Sequence, residues 1–171
     1  IMNAHDQEDP QHKTLRMTVL ATPDMANFSG HVHGGAILKL LDQVAYACAS
    51  RYSNHYAVTV SVDQVFFREP VHVGELMTFY ASVNYTGHTS MEIGIRVIAE
   101  NIIEKNERHV MTSYVTMVAV DDNGRPARIP NLKIRNEIEQ RRYDAAGLRR
   151  EFRREIEKRS LKIRQNPARQ A

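Results

Sequence analysis

The hydrophobic period of this chain runs from two to helical, back to two, and then to helical again. An apolar run at residues 15–20 reads as a first strand. A polar, glycine-rich stretch follows and leads into a hydrophobic helix, on which Leu38, Asp42, Ala45 and Ala49 fall within about 60° of one another at about 100° per residue. Beyond it Val58, Val60 and Val62 alternate with Thr59, Ser61 and Asp63. Met77, Phe79, Ala81, Val83 and Tyr85 alternate next, then Met91, Ile93, Ile95 and Val97, and last Met111, Ser113, Val115, Met117 and Ala119. The pattern predicts one strand, one helix and four long antiparallel strands, an α+β order in which the helix needs a sheet to wrap it. Turns are predicted at Arg68-Glu-Pro70, Tyr85-Thr-Gly-His88 and Asp121-Asp-Asn-Gly124. In the last forty residues Ile134, Ile138, Ala145, Leu148, Phe152 and Ile156 recur at helical spacing. That tail reads as an amphipathic helix, interrupted or kinked near Gly147 and frayed over residues 165–171.

Chemistry concentrates at the first helix. The periodicity places Asp42 on a stripe that should face the core, where an unpaired carboxylate is costly enough to neutralise. Such a group must be paired, protonated or catalytic. A structural role, as a cap or a hydrogen-bonded core residue, is equally compatible with this position taken alone. Upstream, His33-Gly34-Gly35 opens the helix with two residues that lack a Cβ and let another group approach the first-turn amides. These amides sit at the positive end of the helix dipole, a ready site for an anion or a polarised carbonyl oxygen.

The pattern Asn27, Gly30, His33-Gly34-Gly35 and Asp42 resembles the acyl-CoA thioesterase branch of the hotdog-fold proteins, which contains bacterial and brain-type acyl-CoA hydrolases. Phe67-Arg-Glu-Pro-Val-His-Val-Gly-Glu75, Gly87-His-Thr-Ser-Met-Glu92 and Val110-Met-Thr-Ser-Tyr-Val-Thr-Met-Val-Ala119 extend the likeness over residues 14–130. It implies a hotdog fold, with the antiparallel sheet wrapped around the central helix. The domain plan is then a flexible start at residues 1–13, the thioesterase domain at 14–130 and a basic helical tail at 131–171. It also implies hydrolysis of acyl-CoA to free fatty acid and CoA. Amides near Gly35 would bind the thioester carbonyl, Asp42 would act as general base or nucleophile, and Asn27 would orient the water or the carbonyl. His33, Gly34 and the turn Gly87, His88, Thr89 and Ser90, the last beside the pantetheine or nucleotide part of CoA, complete the implied substrate contacts. Arg68 and Lys39 are candidate phosphate partners or plain surface charges. No cofactor is implied beyond the CoA of the substrate. In the related enzymes one site takes its Asn and Asp from different protomers, so a homodimer with shared sites is expected, assembling further into a trimer of dimers.

Composition fits that reading. At 171 residues and 42% hydrophobic, the chain suits one globular domain. The single cysteine, Cys48, excludes an intrachain disulfide and reads as a small core residue. His31 and His33 lack the Cys or Glu pattern of a metal site. No apolar run reaches transmembrane length and the start lacks a signal-peptide pattern, so no membrane and a cytoplasmic location are expected. The basic balance resides in the tail: residues 131–171 carry 13 Lys and Arg against 6 Asp and Glu, the rest 10 against 14. Its arginines are interleaved with glutamates over an apolar face, which suits protein contact better than nucleic acid; an anionic nucleotide effector bound between protomers is a further expectation. The alternative functions are a silent acyl-CoA binding or sensing module on the same fold, opposed by the presence of both Asn27 and Asp42, and a hotdog hydratase, whose paired Asp and His the His33-Gly34 segment does not reproduce.

Overall fold

A computed structural model of the protein describes residues 11–164. In chain order they form β1 (Thr14–Leu20), a single 3-10 turn (Pro23–Met25), α1 (Gly34–Ser53), β2 (Tyr56–Val62), β3 (Leu76–Thr86), β4 (Ser90–Asn101), β5 (Asn106–Val120) and α2 (Glu137–Arg164). The five strands make one antiparallel sheet in the order β1-β3-β4-β5-β2. The strand, helix, four-strand order is as the periodicity predicts. The chain divides after Lys133 into two compact units, and α2 belongs to the second.

α1 lies against all five strands, the arrangement of a hotdog fold. Its buried face is Ile37, Leu41, Val44, Ala45, Cys48, Ala49 and Tyr52, packed on Met77, Phe79, Ile93, Ile95, Val97, Val115 and Met117 from the sheet. Each of these large side chains is worth roughly 1.5–3 kcal/mol on leaving water, so this layer is the main driving force of the unit. The expected stripe is rotated. Its true centre runs along Leu41, Val44 and Cys48, which leaves Leu38 and Asp42 exposed on the flank, Asp42 about a quarter turn away. The helix ends where Asn54 takes the left-handed conformation (φ 56°) and donates its N–H to Ser50 O at 2.9 Å, a common C-terminal closure.

Two strands are longer than the alternation suggests. A β-bulge between Val97 and Ile98 breaks the period of two, after which β4 and β5 continue to a turn at residues 101–106. Asn101 closes that turn by accepting the amides of Ile103 and Glu104, each at 3.1 Å. The turn after β5 is built in the same way on Asp121, with Gly124 at φ 73°. In the sheet, Gly94 faces Ser82 on β3 and Tyr114 on β5, and a Cβ there would overlap the carboxamide of the buried Asn84. In the second unit, α2 runs unbroken through Gly147 and begins after Ile134, so the expected interruption is absent. Its Ile138, Leu148, Phe152 and Ile156 are exposed in the single chain. The expected flexible start and frayed end fall largely outside the described residues.

Candidate active site

The loop from Met25 to His33 is a tight hairpin folded on Asn27. The Asn27 carboxamide oxygen accepts the Ser29 amide at 2.9 Å, the Ser29 hydroxyl at 2.9 Å and the His31 amide at 3.2 Å. Donors on all sides fix which end is oxygen, and they leave the Nδ2 amide as the group able to donate outward. Gly30 supplies the positive φ of 79° that the turn needs, and its amide returns to Asn27 O at 3.0 Å. Phe28, at the tip, is fully exposed.

His33 caps α1. Its Nδ1 accepts the Gly35 amide at 3.0 Å, which places the proton of the neutral ring on Nε2. The Gly35 amide is therefore occupied within the chain, against the expectation that it is open to a substrate oxygen. An incoming oxygen has to displace the imidazole or take the Gly34 amide, which has no hydrogen-bond partner among the described residues. Both glycines answer to close neighbours. A Cβ at Gly35 would lie 3.3 Å from the His33 ring, and one at Gly34 would lie 3.2 Å from the ring of Phe67. Phe67 thereby brings the segment carrying Arg68 against the helix start, with the Arg68 amide on Val110 O at 2.8 Å and the side chain exposed.

Asp42 meets a residue the sequence reading passed over. Thr59 Oγ1 donates to Asp42 Oδ1 at 2.6 Å. The register explains the meeting: Ala57 and Thr59 on β2 pair with Ala119 and Met117 on β5, both buried on the helix side, so Thr59 is delivered to the same face. The bulge between Thr59 and Ser61 ends that pairing immediately afterwards, and Val58, Val60 and Val62 are exposed. One strand further on, Met91 pairs with the same Met117, and Ser90 with Val118. The turn of Gly87, His88, Thr89 and Ser90 thus lies two strand spacings, roughly 10 Å, from Thr59. It is held by Gly87 N to Ser90 O (2.7 Å), Ala119 N to Thr89 O (2.9 Å) and Ile129 N to His88 O (3.0 Å), with the His88 side chain exposed.

The structure therefore makes two groupings. One holds Asn27, His33, Gly34, Gly35 and Phe67; the other holds Asp42 and Thr59, with the turn at 87–90 nearby. No hydrogen bond joins Asn27 to Asp42. Lys39 stands exposed on α1 between them in sequence. Among the described residues no cluster of three or more His, Cys, Asp or Glu could hold a metal ion, and no helix is long and apolar enough to cross a membrane.

Comparison with known proteins agrees with the fold. The thioesterase superfamily model matches residues 29–105. Protein VdlD of Helicobacter pylori is 48% identical over 139 residues, covering 81% of this chain and 79% of its own. An apo-hexameric acyl-CoA thioesterase superposes with TM-score 0.81 at 34% identity, covering 84% of this chain and 92% of that one. The acyl-CoA hydrolase of Staphylococcus aureus, solved with butyryl coenzyme A and coenzyme A, gives TM-score 0.79 at 26% identity over 90% and 95% of the two chains. That hydrolase is also known in variants that replace an asparagine, an aspartate and a threonine by alanine. This chain belongs to the thioesterase superfamily, in the group of hotdog-fold acyl-CoA thioesterases.

Proposed function

We propose that the protein hydrolyses acyl-CoA at a site shared between two copies of the chain, with Asp42 and Thr59 from one copy and the Asn27 loop and helix start from the other. The observation that carries the sharing is a distance along α1. Gly34 and Gly35 precede Asp42 by eight and seven residues, so at about 1.5 Å per residue they lie roughly 10–12 Å apart along the axis. A thioester carbon lies within about 3–3.5 Å of its attacking atom in a reactive pose, and its oxygen about 3 Å from its donors. Asp42 and the helix start of one chain do not reach the same carbonyl. A second copy supplies the missing half.

In this reading Asp42, steadied by Thr59, activates water as general base or attacks the carbonyl carbon directly. A tetrahedral oxyanion forms, the CoA thiolate leaves, and the acid is released by hydrolysis. The other copy holds the oxygen with the Gly34 amide, or with the Gly35 amide once His33 turns aside, and with the Nδ2 amide of Asn27. Because the oxygen of Asn27 is committed to its own loop, Asn27 offers only donors, which suits the thioester oxygen better than a nucleophilic water that must be stripped of a proton. The turn at 87–90 borders the extended CoA arm. The two copies meet along β2, an edge strand of the sheet whose Tyr56, Val58, Val60 and Val62 are exposed and whose Tyr56 ring lies against Tyr46 of α1. The hexameric state of structural relatives supports further assembly of such dimers. A reducing cytoplasm suits the free Cys48.

Subunit mixing tests the proposal. Asn27→Ala and Asp42→Ala proteins, each inactive alone on butyryl-CoA, regain activity after exchange, because a mixed dimer holds one intact site and one doubly defective site. Mixtures with verified exchange that stay inactive would reject the shared site. An Asp42→Ala protein that keeps parental turnover would reject Asp42 itself.

A further inference from the structure

We propose that Arg108 and Glu75 are positioning residues for the helix-start loop: their paired side chains clamp the turn on which that loop is docked. The inference rests on the reading that the Asn27 loop contributes to the site.

The observations form a continuous ladder. Met25 and Ala26 pair with Val32 and His33 across the loop, through His33 N to Met25 O at 2.7 Å and the bridge of Ala26 with Val32. The returning strand of the loop is held on its other side by the segment 70–75. Val32 N donates to Val71 O at 2.8 Å, His31 bridges His72, and the two imidazole rings lie 4.9 Å apart. That segment is a turn, with Glu75 N on His72 O at 3.2 Å and Gly74 at φ 91°. Its outer end belongs to Arg108 of β5. Nη1 and Nη2 each bind one Glu75 carboxylate oxygen at 2.8 Å, and Nη2 also binds Pro70 O at 2.9 Å. One guanidinium thus holds the first and last residues of the turn together. The second Glu75 oxygen accepts the His72 amide at 2.9 Å, so the same carboxylate fixes the residue that carries the loop.

Burial argues that the pair serves geometry. The Glu75 side chain is 5% exposed and that of Arg108 27%. A buried ion pair adds little net stability over an apolar pair of similar shape, but it imposes one bidentate arrangement, and losing one partner strands the other. The arrangement also ties the turn to the chain that enters the loop, through Ala21 N to Glu75 O and Gly74 N to Ala21 O, both 2.8 Å. Asn27 and His33 therefore take their positions from a clamp at the far side of the turn.

Amide hydrogen exchange and kinetics on the full-length Arg108→Lys and Glu75→Gln proteins test this. Lysine keeps the charge of Arg108 but cannot form the planar fork to both Glu75 oxygens and Pro70 O. In both variants exchange at Val32 and His33 should rise at least about tenfold, while Val44 and Cys48 within α1 stay within about twofold. With butyryl-CoA, kcat should fall roughly 10- to 100-fold with KM changed less than about threefold, and Glu75→Asp, which keeps the carboxylate, should recover part of the loss. Unchanged exchange at Val32 and His33, or a uniform rise across helix and sheet, would overturn the clamp. Faster loop exchange with parental kcat would overturn its importance to the site. A parent protein that does not hydrolyse butyryl-CoA or longer acyl-CoAs would reject the functional reading, and the exchange measurement would still decide whether the clamp holds the loop.

Discussion

Replacing Thr59 with Val keeps the branched shape and removes one hydroxyl, whose stronger contact is the bond to Asp42 and whose weaker one is with Met117 Sδ at 3.3 Å. The bond is 2.6 Å long and its acceptor is a carboxylate, a class worth about 1.5–3 kcal/mol. Asp42 is exposed in the single chain, so water can replace part of the lost bond and the lower half of that range applies. At about 1.36 kcal/mol per factor of ten, the expected fall in kcat is roughly 10- to 50-fold. KM should change less, since the hydroxyl orients the reacting carboxylate and does not form the CoA-binding surface. Continuous detection of released thiol over a range of butyryl-CoA concentrations separates the two constants, and Thr59→Ser should stay within about threefold of the parent. If the Val protein turns over at the parental rate with an unchanged melting temperature, the contact does not position Asp42. If Ser and Val lose activity equally, the methyl group matters and the hydrogen-bond argument fails.

Gly94→Ala should destabilise the protein by about 1–3 kcal/mol, because its Cβ overlaps the carboxamide of the buried Asn84; denaturant unfolding should show most of the loss relieved in the Gly94→Ala, Asn84→Ala double variant. Gly147→Ala should stabilise by about 0.5–1 kcal/mol, since the helix passes through that position and nothing stands near the added methyl; a lower melting temperature would contradict this. The Arg108 guanidinium, above all by its hydrogen bonds, holds the Glu75 carboxyl below the usual carboxylate range, and His72 adds to the effect; Glu75 in turn raises Arg108, helped by Glu69 and Glu104. A depressed carboxyl contributes stability above its unfolded pKa and loses it as pH falls through the folded value. The stability gap between parent and Glu75→Gln should therefore hold steady from neutral pH down to about 5 and close below about 4; a gap that is flat through the acid range would refute the linkage.

The order of elements was legible because each segment keeps a single period over many residues. The strand ends were not: the bulge at Val97 and Ile98 moves the alternation by one residue, and the hairpin tip at Asn101 carries its turn in hydrogen bonds from one asparagine. The facing of α1 was misread for a different reason. Leu38, Leu40, Leu41, Ala45 and Tyr46 spread apolar character over more than half of its circumference, so no unique stripe exists in the sequence, and the sheet decides which part is covered. Of the site, Asn27, His33 and the two glycines were legible as a loop closed on a helix start. Thr59 was not, because a threonine in an alternating strand reads as an outward polar position. The available signal was its company: Ala57, Thr59 and Ser61 are the small residues of β2, set between the large exposed Tyr56, Val58, Val60 and Val62.

The rotation of α1 strengthens the chemical role given to Asp42. A carboxylate on the core stripe would face only apolar side chains, would tend to neutralise, and would have neither a water to activate nor a path for a thioester carbonyl. On the flank, Asp42 stays within reach of solvent and is held from one side by Thr59 Oγ1. Its remaining oxygen is available for a water or for attack. Leu38 and Tyr46, one turn before and one turn after Asp42 on the exposed side of the same helix, form an apolar border that a single chain leaves wet. In the proposed shared site, covering that border with a second copy would exclude bulk water and strengthen each charged contact within, and it would bring an Asn27 loop to a carboxylate with which its own loop makes no hydrogen bond.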